Sequence, residues 1–102
     1  MTIKIGDYTF NGPYEDPSKL SSKSGVYAIH CEKDSKYFLI DVGESGDVKD
    51  RVEKHDRKDC WKKECSTTLT YSEYLTPNLQ QAGRKKIEQA IRAKFNPPCG
   101  KE

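Results

Sequence analysis

Gly25-Val26-Tyr27-Ala28-Ile29-His30-Cys31 and Tyr37-Phe38-Leu39-Ile40-Asp41-Val42-Gly43 are two apolar-rich runs joined by the polar Glu32-Lys33-Asp34-Ser35-Lys36. β-Branched and aromatic side chains suit a pleated, half-buried surface, and a short polar joint between two such runs predicts an antiparallel hairpin. With the turn centred on Asp34, Tyr27 lies directly across from Asp41, and cross-strand partners share one face of a sheet. Phenol and carboxylate are then neighbours.

Working outward, Glu44-Ser45 follows at once, and Asp47 is placed to cap a helix in which Val48, Val52 and His55 keep the helical repeat. Arg51 lies one turn from His55, so both project toward the open end of the hairpin. Gly43 relieves a strand end and Ser45 helps start the helix. Trp61 anchors the next turn. Thr67-Thr68-Leu69-Thr70-Tyr71 has strong β propensity and supplies a third strand, after which Thr76-Pro77 opens the last helix. There Leu79, Ala82, Ile87, Ala90, Ile91 and Phe95 form an apolar stripe that Pro97-Pro98 ends. Glu88 sits beside the stripe, one turn from Arg84; an exposed Arg84–Glu88 ion pair is its plain structural reading.

Upstream, Ile3, Ile5, Tyr8 and Phe10 alternate before Asn11-Gly12-Pro13, which predicts a strand or hairpin ending in a loop. Residues 1–23 thus read as an extension packed on a core domain of residues 24–102. The expected fold is α+β, a small three-stranded antiparallel sheet flanked by helices.

At 102 residues the chain has room for one modest core. Eighteen Lys and Arg against sixteen Asp and Glu leave a net charge of +2, too little to argue for nucleic acid by itself. Distribution carries more. Lys49, Arg51, Lys54, Arg57, Lys58, Lys62 and Lys63 crowd one stretch, and Arg84, Lys85, Lys86, Arg92 and Lys94 load the last helix. No apolar run approaches a membrane span, no signal-peptide core opens the sequence, and the chain is expected to be cytoplasmic. Cys31, Cys60, Cys65 and Cys99 are few and irregularly spaced, which in a reducing compartment predicts free thiols. Cys60 and Cys65, with His55 nearby, do not have the spacing of a paired-ligand zinc knuckle.

The ordered set Gly25-Val26-Tyr27, Asp41-Val42-Gly43, Arg51 eight residues after Gly43, His55 one turn later, and Glu88 in Ile87-Glu88-Gln89-Ala90-Ile91 resembles the GIY-YIG nuclease superfamily. The likeness covers residues 24 to 100. It departs in two places: Asp41 stands where the family has tyrosine, and Gly100 where it has an asparagine, with Asn96 four residues too early to replace it.

The resemblance implies a metal-dependent endonuclease hydrolysing DNA phosphodiester bonds, with Tyr27, Asp41, Arg51, His55 and Glu88 as its site. Glu88 would be the ligand of one Mg2+ (or Mn2+), which commonly keeps several waters and takes further oxygens from phosphate. Arg51 would hold the scissile phosphate through planar, charge-assisted bonds. Tyr27 would be the base or proton relay, with His55 taking or passing on the proton. Three roles stay open for Asp41: proton acceptor, second carboxylate for the cation, or partner of Arg51 or a lysine. The alternative function is a catalytically degraded GIY-YIG-like domain that binds nucleic acid or a protein partner. Specificity is expected to be low or supplied by a protein partner.

Overall fold

A computed structural model describes residues 1–100; residues 101 and 102, the end of the expected 24–102 domain, lie outside the described residues. In chain order come strands β1 (Thr2–Ile5), β2 (Tyr8–Tyr14), a 3-10 turn (Pro17–Lys19), β3 (Gly25–Lys33) and β4 (Lys36–Ser45). Helices α1 (Val48–Glu53) and α2 (Lys58–Glu64), strand β5 (Thr68–Leu75) and helix α3 (Gln81–Phe95) complete it.

The sheet has five strands in the order β1-β2-β5-β3-β4, all antiparallel, which corrects the three-stranded expectation. β3, β4 and β5 are the strands read from the sequence. β2 adds to the far side of β5 through Asn11↔Glu73 and Tyr14↔Tyr71, and β1 pairs on β2. The physical reason is the row of backbone donors and acceptors that β5 would otherwise leave open. Residues 1–23 therefore contribute two strands to the same sheet.

The β3–β4 register also differs. Asp34 and Ser35 form a two-residue turn with φ of 54° and 64°, between partners Lys33↔Lys36. Such a turn matches the strand twist, and it centres the hairpin between Asp34 and Ser35, not on Asp34. A bulge then shifts the ladder between His30↔Leu39 and Ile29↔Asp41, inserting Ile40 as one extra residue on β4. Together they set Tyr27 opposite Gly43 and Ile29 opposite Asp41. Since the total displacement is even, Tyr27 and Asp41 keep the same face, as diagonal neighbours.

Apolar side chains fill both faces of the sheet. Tyr27 and Ile29 pack with Val48, Val52 and Trp61 beneath α1 and α2. Val26, Ala28 and Val42 pack with Phe10 and with Ile87 and Ile91 of α3. Asp47 caps α1 by accepting from Asp50 N at 3.1 Å, as its position predicts. α3 starts later than Thr76-Pro77 and ends at Asn96, whose φ of 49° turns the chain out of the helix before Pro97.

All four cysteines are paired, Cys31 with Cys65 and Cys60 with Cys99, which corrects the expectation of free thiols. The topology brings the Cα atoms to 5.5 and 5.9 Å, within disulfide range, although 34 and 39 residues separate the partners in sequence. Among the described residues no helix is long and apolar enough to cross a membrane.

Candidate nucleic-acid interface

Asp41 is fully buried on β4, and burial of a carboxylate requires partners. Arg57 meets it side-on, Nε to Oδ2 at 2.8 Å and Nη2 to Oδ1 at 3.2 Å. Trp61 Nε1 donates to Oδ2 at 2.8 Å, Arg92 Nη2 to Oδ1 at 2.7 Å, and the Val42 amide to Oδ1 at 2.8 Å. Both oxygens are thus engaged by two guanidinium groups, an indole and an amide. Of the three roles open from sequence, charge pairing is the one the contacts support, and its partners are Arg57 and Arg92, not Arg51 or a lysine.

The side-chain partners come from two helices because β4 is an edge strand. Arg57 and Trp61 arrive with α2, while Arg92 of α3 reaches round the edge and also donates to the Val42 carbonyl. The chain after α3 closes the ring: Cys99 N donates to the Ile40 carbonyl at 2.9 Å, and Cys99 O accepts from Arg92 Nη1 at 3.0 Å. Two outward carbonyls of the edge are thereby covered. Gly100, with φ of +81°, follows so closely that a Cβ there would stand 2.5 Å from Arg92 Nη2 and 3.0 Å from Asp41 Oδ1. A side chain there would sit at a positive φ and would have to displace Arg92 from Asp41, which disfavours any residue but glycine.

Tyr27 and His55 form the second half of the corner, at 2% and 5% exposure. Tyr27 Oη lies 2.6 Å from His55 Nε2, and His55 Nδ1 accepts the Arg57 amide at 3.0 Å. A backbone N–H can only donate, so the neutral ring carries its proton on Nε2 and donates it to the phenol oxygen. Burial, and then the positive charges of Arg51 and Arg57, push the His55 pKa down to about 4, which keeps this tautomer neutral. Asp56, 3.3 Å from Nδ1, becomes a partner only when the ring is charged. Burial pushes the Tyr27 phenol up to about 12. In this arrangement His55 has no lone pair free to take the tyrosine proton, and Tyr27 is a poor base near neutrality. Gly43 has a specific cause: the Tyr27 ring lies across it, and a Cβ would come within 2.1 Å of Oη.

Glu88 and Arg51 stand at the rim. Arg84 pairs with Glu44 at 3.0 Å, while Glu88 accepts from Arg92 Nε at 3.3 Å, so the Arg84–Glu88 pair does not form. Arg51 reaches the exposed Asp56 at 3.2 Å. Asp41, Arg51 and Glu88, together with Arg57, all bear on the Tyr27 phenol by charge, and His55 touches it, so the five residues singled out from sequence share one corner. Beside it lies an open cleft of about 590 Å³ whose walls include Arg57, Lys85, Glu88, Arg92 and Gly100.

The donor set is a poor match for a divalent cation. Glu88 has one oxygen already on Arg92, Asp41 has none to spare, and the cations Arg57, Lys85 and Arg92 line the same cleft as Glu88. An anion suits it better. Arg57 Nη1 has no partner among the described residues, which leaves the outer edge of its guanidinium for a ligand.

Arg57 and Arg92 were not singled out in the sequence as site residues. The signal that points to them is Asp41 itself: an acid within an apolar strand needs cationic partners, and two arginines can share one carboxylate. No protein family, curated protein or solved structure matches the chain.

Proposed function

We propose that the chain is a GIY-YIG-like domain that binds the DNA phosphodiester backbone through the cleft beside Arg57, without cutting it. The single observation that carries this reading is the closure of Asp41 by Arg57, Arg92 and Trp61. It takes Asp41 out of play as a proton acceptor or second carboxylate, and leaves Arg57 and Lys85 on the cleft wall to face an anion. The outer edge of an arginine offers phosphate planar, charge-assisted hydrogen bonds, and lysine adds a mobile point charge. The high pKa of Tyr27 and the fixed tautomer of His55 support binding over hydrolysis. Backbone contacts of this kind carry no base readout, so sequence preference is low or comes from a protein partner. The setting we propose is cytoplasmic.

The test is duplex DNA binding by fluorescence anisotropy across a salt series, with wild type and Lys85→Gln. The logarithm of the affinity should fall linearly with log salt, and the substitution should flatten the slope by about one unit. Binding that ignores salt would refute the reading. Magnesium-dependent nicking of supercoiled plasmid, lost in Glu88→Ala, would refute it in favour of a metal-dependent endonuclease.

A further inference from the structure

The two disulfides occupy different places relative to the cleft. Cys31–Cys65 ties β3 to the chain just after α2, and both its residues are buried in the core. Cys60–Cys99 joins α2, which brings Trp61 to Asp41 and follows directly from Arg57, to the segment after α3 that seats Arg92. It is a covalent closure of the ring around Asp41. Without it, Cys99 is held to that ring by its amide on Ile40 O, its carbonyl on Arg92 Nη1 and the packing of its buried side chain. Pro97 and Gly100, one wall of the cleft, belong to the same segment.

We propose that Cys60–Cys99 is a redox latch on the DNA-binding cleft, closed when oxidised and released by a dithiol reductant; the effect on DNA rests on the function proposed above. The reaction balances as ordinary exchange: a thiolate of the reductant attacks Cys60 Sγ, the S–S bond breaks, and Cys99 leaves as a thiolate that takes a proton. The second thiol of the reductant then displaces Cys60 as a thiol and leaves as its own cyclic disulfide, two electrons having passed to the protein. Cys60 is the partly exposed member of the pair, and Cys99 is fully buried. Release of Cys99 frees segment 97–100, removes the carbonyl that orients Arg92, and loosens the hold on Asp41 that aims Arg57 at the cleft.

The experiment follows wild type in its oxidised form and after dithiothreitol, with thiols counted by alkylation and mass spectrometry. Hydrogen exchange over residues 97–100 and duplex DNA affinity at fixed salt are read on each sample. Reduction should raise exchange in that segment and weaken DNA binding several-fold. Cys60→Ser/Cys99→Ser should behave like reduced wild type with or without reductant, whereas Cys31→Ser/Cys65→Ser should keep the full response. Should the serine pair fail to fold, the reduced and alkylated wild type still decides. Exchange that ignores reduction, affinity that stays constant while exchange rises, or a response lost with the Cys31 pair would each overturn the latch. If exchange rises on reduction but neither form binds DNA, the latch stands and the DNA reading falls.

Discussion

Tyr27–His55 and Asp41–Arg57–Arg92 are buried polar groups on the same face of one hairpin, yet they are satisfied by opposite means. The first is a neutral hydrogen bond in which burial has removed charge from both partners. The second keeps its charge and surrounds one carboxylate with two guanidinium groups and an indole. That contrast decides which half of the corner can change without collapse. A neutral pair that loses one member leaves one unsatisfied group, whereas a buried charge that loses its partner is far more costly.

The largest expected effect is therefore on Asp41. Asp41→Asn turns amide hydrogens toward donors on Arg57, Arg92 or Trp61, leaves Arg57 without its counter-charge and leaves Arg92 with Glu88 alone. Breaking a buried pair costs about 3–5 kcal/mol, and the low end applies because Arg57 and Arg92 are 30% and 21% exposed and can turn to water. Urea unfolding measures it. A loss below 1 kcal/mol would show that the ionic half is no more demanding than the neutral half.

Next comes Gly43→Ala, which probes the neutral half by volume. Its new methyl meets the Tyr27 ring, and overpacking of this kind costs about 1–3 kcal/mol. In a Tyr27→Ala background the same substitution should cost much less, because the ring it strikes is gone. Equal costs in both backgrounds would place the strain elsewhere.

Acid separates the two halves without mutation. His55 and His30 are both held near a pKa of about 4 by burial, against 6.5 for the free side chain. The unfolded chain therefore takes up protons first. The contribution of these neutral rings is complete above pH 6.5 and is lost as pH falls toward 4. His30, bonded to Ser72 Oγ at 2.7 Å, is the independent second contributor. His55→Gln should remove about half of the pH slope of stability in that window. An unchanged slope would mean that His55 is already charged in the folded protein.

Much of this was legible in the sequence, for reasons tied to particular residues. The β3–β4 hairpin, the Asp47 cap and the β5 run are local, and local propensity announces them. β1 and β2 joined the sheet through β2–β5 pairing, a contact between strands far apart in sequence that neither strand signals alone. The register escaped because two one-residue effects added: a turn on Asp34 and Ser35, and a bulge at Ile40. Asp41 was found as a chemical oddity, but its partners lie after the hairpin on α2 and α3, and only the fold brings them to it. The disulfides escaped for the same reason, since no spacing in sequence marks Cys60 as the neighbour of Cys99.

The smallest expected effect falls on Glu88, and it bears most directly on function. Glu88 and Arg92 are one turn apart on α3 and each about one-fifth exposed, so their pair adds about 0.3–0.5 kcal/mol and no more. Arg92 keeps Asp41, Val42 O and Cys99 O as partners when Glu88 is changed. Glu88→Gln should therefore leave the ionic half intact and the unfolding midpoint almost unmoved. Its effect on DNA has a definite sign. In a binding cleft Glu88 is a negative charge facing an anionic backbone, so its neutralisation should tighten binding modestly at low salt, with the gain fading as salt rises. In a metal-dependent site it is the ligand of the cation, so the same change should abolish magnesium-dependent cleavage and weaken any magnesium-dependent binding. One variant, assayed by anisotropy with and without magnesium, thus gives opposite results for the two chemistries. Weaker binding by Glu88→Gln in magnesium alone would sink the reading in which this corner holds DNA without cutting it.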